Sequence, residues 1–188
     1  MVSRRRIIVR FVSTNPGKYR EMRDVLRAYG IDVRWVRREL PEPQAADLET
    51  VVRSKLDAVA DVRGPVVVED SGLFVPSLAG FPGVYSAHFL RIWGFDPLLE
   101  LLRRRPRAAY FRSVIGLRNG RRRSLYVGEV HGTIARKAAG RHGFGYDPIF
   151  VPTGWRRTFG ETPADAKNAI SHRGSALRKL GIALSRSR

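Results

Sequence analysis

Three consecutive valines, Val66-Val67-Val68, run directly into Glu69-Asp70-Ser71-Gly72-Leu73. A short run of β-branched residues reads as a buried strand. Here it covers residues 65–68 and ends in two adjacent carboxylates, which it delivers to the rim of a sheet. Negative charge in such a place is costly unless a cation or a ligand compensates it. The expected compensation is a magnesium ion, Mg²⁺, which takes carboxylate and phosphate oxygens together. The feature therefore points to phosphate chemistry at the edge of a sheet.

The flanking chain supplies the scaffold. Residues 7–12 read as a first buried strand, and Ser13-Thr14-Asn15-Pro16-Gly17 is turn chemistry. Residues 18–29 place Met22, Val25, Leu26 and Tyr29 on one helical stripe that Gly30 stops. A second strand is predicted over 32–36, and Pro41 and Pro43 make 40–44 an irregular loop. Leu48, Val51, Val52, Leu56 and Val59 mark a helix over 47–62. Residues 76–88, rich in Pro, Gly and Ser, read as an ordered loop or short elements. Asp96 is the expected N-cap of a helix reaching 104, with Pro97 at its first position. Residues 109–117 alternate as a strand, Asn119-Gly120 marks a hairpin turn, and 124–134 return. A short strand at 149–151, a short helix opened by Thr162-Pro163, and a final helix capped by Ser171 complete the chain. The order β-α-β-α-β, hairpin, helix predicts an α/β fold with a mixed sheet. No repeat or long linker divides it, so residues 1–188 read as a single domain.

Composition excludes several chemistries. With no cysteine the chain forms no disulfide, no thiolate zinc site and no thiol nucleophile. His88, His131, His142 and His172 lack metal-site spacing. The longest apolar stretches are a few residues, too short to cross a membrane. The start is basic, but Arg10 breaks Ile7-Ile8-Val9 before a signal-peptide core can form, so a cytoplasmic location is expected. The net charge of +18 has two readings, a nucleic-acid partner or a solvated basic surface. Its runs, Arg4-Arg5-Arg6, Arg37-Arg38, Arg103-Arg104-Arg105, Arg121-Arg122-Arg123 and Arg156-Arg157, are scattered rather than gathered, which favours the surface. Only five of the 35 basic residues are lysine: Lys18, Lys55, Lys137, Lys167 and Lys179. A lysine kept against that bias suits a phosphate oxygen, for which a compact ammonium is the better donor.

Four segments carry the candidate site. Ser13-Thr14-Asn15-Pro16-Gly17-Lys18 leads a strand through a polar turn into a helix, whose N–H groups and dipole favour an anion. It is not a Walker A loop, and an ordinary capped turn explains it equally well. Glu69-Asp70-Ser71-Gly72 forms a second segment, with Glu42 as a further carboxylate or a solvated loop charge. In Gly143-Phe144-Gly145-Tyr146-Asp147-Pro148 two glycines admit a flat ligand, two aromatics offer stacking, and a carboxylate can accept from ring N–H groups. Core aromatics around a glycine turn are the alternative. Lys167-Asn168-Ala169-Ile170-Ser171-His172-Arg173 sets three basic donors around a helix start, for a phosphate, a purine carbonyl or solvent.

Together with Glu21, Pro41-Glu42-Pro43-Gln44, Lys55 and Gly80-Phe81-Pro82-Gly83-Val84-Tyr85-Ser86-Ala87, these segments resemble the inosine triphosphate pyrophosphatase family. These are the enzymes that clear non-canonical purine nucleoside triphosphates. The likeness spans nearly the whole chain in the right order. It departs at Thr14, where many members have glycine. The resemblance implies hydrolysis of ITP, dITP and XTP to the monophosphate and pyrophosphate with Mg²⁺. It implies an elongated α/β structure, two lobes around a substrate cleft, and a homodimer. By that likeness Ser13, Thr14, Asn15, Pro16, Gly17 and Lys18 bind the triphosphate, helped by Lys55. Glu42 and Asp70 hold the metal with Glu69 nearby, and Asp70 is also the proton acceptor. Ser71, Phe144, Gly145, Tyr146, Asp147, Lys167, His172 and Arg173 contact substrate, the later ones around the base.

Overall fold

Strand β1 (Ile7–Val12) lies between two parallel neighbours, β2 (Ile31–Val36) and β3 (Val66–Phe74). The computed structural model describes residues 7–186, so the expected basic run Arg4-Arg5-Arg6 lies outside the described residues. Past β3 the sheet turns antiparallel through β5 (Ala108–Asn119), β6 (Arg122–Ile134) and β7 (Phe150–Pro152). The two-residue strand β4 (Pro82–Gly83) pairs with the end of β3, giving seven strands in one mixed sheet. This is the predicted α/β class.

The two crossover helices take opposite faces. Helix α1 (Pro16–Arg27) buries Met22 and Leu26 against Val9, Phe11 and Val67, and the last helix, α6 (His172–Arg186), adds Leu177, Leu180 and Leu184 on the same side. Helix α2 (Leu48–Asp57) buries Leu48, Val52 and Leu56 against Val12, Val66, Val68 and Val114 on the other. A further apolar cluster joins Leu73, Phe111 and Phe150 to Phe89 of α3 (Ser86–Trp93) and Leu98 of α4 (Asp96–Leu101). The short α5 (Ala164–Ile170) precedes α6. Among the described residues no helix is long and apolar enough to cross a membrane.

Several boundaries differ from expectation. Helix α2 stops at Asp57 rather than 62. Past it the chain tightens into turns in which the Ala60 amide donates to the Asp57 carbonyl and the Val62 amide to that of Val59, and Arg118 donates to the Val59 and Val62 carbonyls. Phe95, not Asp96, is the N-cap residue of α4, and the helix ends at Leu101. The hairpin loop is Gly120-Arg121, since Asn119 still pairs with Arg122, and Gly120 takes φ +59° at the first loop position. Helix α3 (Ser86–Trp93) begins inside the stretch 76–88 that reads as an ordered loop or short elements. The largest difference is β3, which does not end at Val68 but continues to Phe74. Its second half is held by β5, with Glu69 opposite Ile115 and Asp70 opposite Val114.

Candidate active site

The cleft begins where β1 ends. β1 pairs with β3 only through Arg10–Val66 and Phe11–Val67, so β3 runs on from Val68 to Gly72, five residues, with no strand on that side until β4 pairs with Leu73 and Phe74. The crossovers from β1 and β2 diverge to opposite faces at this point, which is where open α/β sheets place ligands. The turn after β1 is fixed from both ends. The Trp35 indole N–H donates to the carbonyl of Ser13 (2.7 Å), and the Asn15 amide N–H donates to the Ser13 hydroxyl (3.1 Å). Asn15 Oδ1 then accepts from the amides of Gly17 (2.8 Å) and Lys18 (3.1 Å), with Pro16 opening the helix. Those two amides are therefore capped by the chain itself. The positive charge this segment offers is the Lys18 ammonium.

Successive residues of a strand point to opposite faces, and this separates the two carboxylates. Glu69 turns toward α1 and α6. Its Oε1 accepts from the Ser113 hydroxyl (2.8 Å) and from Arg173 Nε (3.1 Å), and its Oε2 lies 2.7 Å from Lys18 Nζ. Burial alone would raise its pKa, but Arg173 and Lys18 outweigh burial and hold the carboxyl far below its ordinary range. Asp70 turns toward α2, where Lys55 Nζ sits 3.1 Å from its Oδ1 and 2.8 Å from Glu42 Oε1. Lys18 Nζ is 3.8 Å from the same Asp70 oxygen. Burial raises the Asp70 pKa, with Lys18 and Lys55 pulling against it.

The expected compensation is present within the protein itself, where Lys18, Lys55 and Arg173 lie beside the two carboxylates. Of the expected metal residues, Glu42 and Asp70 share the Lys55 ammonium, while Glu69 faces the opposite side of the strand. Among the described residues no three acidic or histidine side chains gather as a metal cluster. The strand's alternation sends Glu69 away from the other two.

At the other end of the cleft the third and fourth segments meet α1. Arg173 on α6 is buried and spans the site, donating from Nη1 to Glu21 Oε2 (2.6 Å) and from Nη2 to the Ser71 hydroxyl (2.9 Å). Lys167 Nζ donates to Glu21 Oε1 (2.7 Å) and to Asp147 Oδ2 (2.5 Å). That Asp147 oxygen also accepts from the Phe144 amide (2.7 Å), and Gly143 makes the turn possible at φ +72°. The Phe144 ring lies against Gly17, with Lys167 Nζ 4.8 Å and Arg173 Cζ 5.4 Å from its centroid. Tyr146 is a core aromatic whose hydroxyl donates to the carbonyl of Ser86 (2.9 Å). His172 stacks on Phe111 at 4.6 Å, and its Nδ1 has no hydrogen-bond partner among the described residues. Burial and then the charges of Arg173 and Lys167 push its pKa well down, so the ring is neutral.

The resulting cleft encloses about 110 Å³ and opens to solvent. Ten expected site residues line it: Asn15, Lys18, Ser71, Phe144, Gly145, Tyr146, Asp147, Lys167, His172 and Arg173. Glu42, Lys55, Glu69 and Asp70 do not line it but join it through Lys18. Ser13, Thr14, Pro16 and Gly17 form the turn and first helical residues beneath. Sequence reasoning assigned no role to Glu21, which holds Lys167 and Arg173, or to Ser113, which holds Glu69. A hydroxyl on the inward face of the alternating strand around Ser113 was the available signal. Phe111 and Leu90, also lining the cleft, gave none beyond being apolar.

The Ham1 family model matches residues 9–182. A protein named dITP/XTP pyrophosphatase from Pyrococcus horikoshii is 44% identical over 170 residues, covering 89% of this chain and 91% of its own. A second of that name, from Thermococcus kodakarensis, is 44% identical over 172 residues, covering 90% and 93%. Among solved structures, a HAM1 protein from Coxiella burnetii superposes with a TM-score of 0.81 at 29% identity, covering 96% of this chain and 99% of that one.

Proposed function

The chain belongs to the Ham1 family, and from that premise we propose that it hydrolyses the non-canonical purine nucleoside triphosphates dITP, ITP and XTP. The products are the nucleoside monophosphate and pyrophosphate, and the role is to clean the nucleotide pool. The observation that carries this reading is convergence. Four segments distant in sequence line one cleft at the end of β1, with the cations Lys18, Lys167 and Arg173 facing it.

Lys18, with the turn from Ser13 to Gly17 beneath it, receives the triphosphate, and Lys55 adds a second ammonium at the same end. These charges offset the negative charge that grows on the phosphate oxygens as water attacks the α-phosphorus and pyrophosphate leaves. Asp70 accepts the proton of the attacking water. Its buried setting, which raises the pKa, makes it a better base than an exposed aspartate. Glu42 and Asp70 fit a hard divalent ion such as Mg²⁺, because both already direct an oxygen at one positive centre. Mg²⁺ commonly takes one or two protein carboxylates and fills its shell from substrate phosphate and water. When bound it supplies a Lewis acid for the phosphoryl oxygens. Glu69 does not fit that role, since both its oxygens are engaged by Ser113, Arg173 and Lys18. We assign it to holding those cations.

The base end suits a purine carrying a 6-oxo group. A neutral imidazole at His172 and the N–H bonds of Arg173 beyond those given to Glu69, Glu21 and Ser71 donate to that oxygen and oppose the amine of adenine. Phe144 covers the ring. A single two-lobed domain, a homodimer and a cytoplasmic location are further parts of the proposal and rest on the resemblance.

The test is product analysis with Mg²⁺, offering ITP, XTP, GTP and ATP in parallel. Monophosphate and pyrophosphate from ITP or XTP, with ATP and GTP largely spared, are expected. Release of orthophosphate instead would make the protein a different phosphohydrolase.

A further inference from the structure

Lys55 stands on the apolar stripe of α2, one turn after Val51 and Val52, and is 5% exposed. A lysine is among the least expected residues there. Its ammonium lies 2.8 Å from Glu42 Oε1 and 3.1 Å from Asp70 Oδ1. These are the two oxygens that fit a divalent ion.

We propose that Lys55 holds the place of the divalent cation between Glu42 and Asp70 and yields it when ion and triphosphate arrive together. This rests on the pyrophosphatase reading and adds a coupling step to it. Two positive centres within a few ångströms of each other in a buried site repel strongly. An ion seated between the same two oxygens must therefore displace the ammonium.

The surrounding structure permits that exchange. Helix α2 is anchored by its Asp47 cap and by buried Leu48, Val52 and Leu56, so the backbone stays in place. The four-carbon stem of lysine lets the ammonium swing without it. Glu42 lies on an irregular loop with its side chain 62% exposed, free to follow an incoming ion. Lys18 sits on the other contact of Asp70, at 3.8 Å, and marks the end of the site where phosphate binds. The displaced ammonium finds its new partner among those phosphate oxygens. Without the triphosphate it has none and opposes the ion. Ion and triphosphate each raise the affinity for the other, and Lys55 carries the coupling.

The test titrates Mg²⁺ calorimetrically into nucleotide-free protein, comparing the natural chain with Lys55→Met. Binding about tenfold tighter in the variant is expected, within the usual range of site coupling, with a larger rise in Tm on adding the ion. Equal or weaker binding would show that Lys55 only orients the carboxylates and would overturn the proposal.

A second measurement uses the unaltered chain, so that failure of the variant to fold leaves nothing undecided. With only five lysines, acylation of each amine is resolved by mass spectrometry. Saturating Mg²⁺ is expected to raise labelling of Lys55 while exposed Lys137 stays constant. Unchanged Lys55 labelling overturns the proposal. ITP turnover is scored separately. Turnover without the Lys55 response leaves the pyrophosphatase reading standing and removes only the coupling, whereas absence of turnover removes both.

Discussion

Arg173 Nη1 on α6 donates to Glu21 Oε2 on α1 at 2.6 Å, across 152 residues of chain. The other oxygen of Glu21 accepts from Lys167 at 2.7 Å. One buried carboxylate from the phosphate end thus holds both cations of the base end. Burial alone would raise its pKa, yet Arg173 and Lys167 bring it below its ordinary value.

Replacing Glu21 with alanine leaves two buried cations short of a counter-ion. Breaking a buried pair by removing one partner costs about 3–5 kcal/mol. Urea unfolding of Glu21→Ala should show a loss of that order. A loss under about 1 kcal/mol, the range of exposed pairs, would mean that water reaches the site and compensates the charges.

A Cβ built at Gly17 lies 2.5 Å from Cδ1 of Phe144. The backbone there is ordinary helix, so the ring must move rather than the turn. Overpacking of this kind costs about 1–3 kcal/mol. Because the same ring lies over Lys167 and Arg173, Gly17→Ala is expected to raise KM for ITP more than it lowers kcat. An unchanged KM would separate Phe144 from the base.

How far the sequence disclosed this site follows from which forces act locally. Strand β1, the helix stripe of α1 and the hairpin were legible because apolar periodicity and glycine turns are local signals. The extension of β3 was not. Glu-Asp-Ser-Gly has poor strand propensity, and only pairing with β5 along its whole length keeps it extended. Helix α3 was hidden for a similar reason. Its stripe is short, and it docks through Phe89 on residues far away in sequence. The four site segments could be found one by one, each with a bland alternative. Their ion pairs could not, since Glu21 to Arg173 or Ser113 to Glu69 is a contact of the fold, not of the chain.

Asp70→Asn keeps the shape of the side chain and removes its charge and its basicity. Loss of a positioned base costs about 10²–10⁴ in rate, and with the metal contact weakened the upper end is expected. Stability should change little, because a buried carboxylate whose pKa burial has raised is not a strong source of stability. Single-turnover rates with ITP beside urea unfolding check both halves. Near-normal turnover would refute the catalytic role of Asp70.

His172 supplies the pH dependence above the carboxylate range. Burial, then Arg173 and Lys167, hold its folded pKa well below the ordinary 6.5. As pH falls through about 6.5, the unfolded chain takes up a proton on this imidazole and the folded chain does not. Stability grows with pH where the unfolded state binds more protons. The contribution of His172 is therefore fully present above about 6.5 and declines as pH drops toward its folded value. Urea unfolding at steps from pH 7.5 to 5.5 should show a falling midpoint for the natural chain. His172→Asn, which has no proton to gain in this window, should show a flatter line even if its stability at pH 7.5 is lower. Parallel slopes would mean that the imidazole is protonated in the fold. The neutral donor assigned to the purine oxygen would then be a charged one.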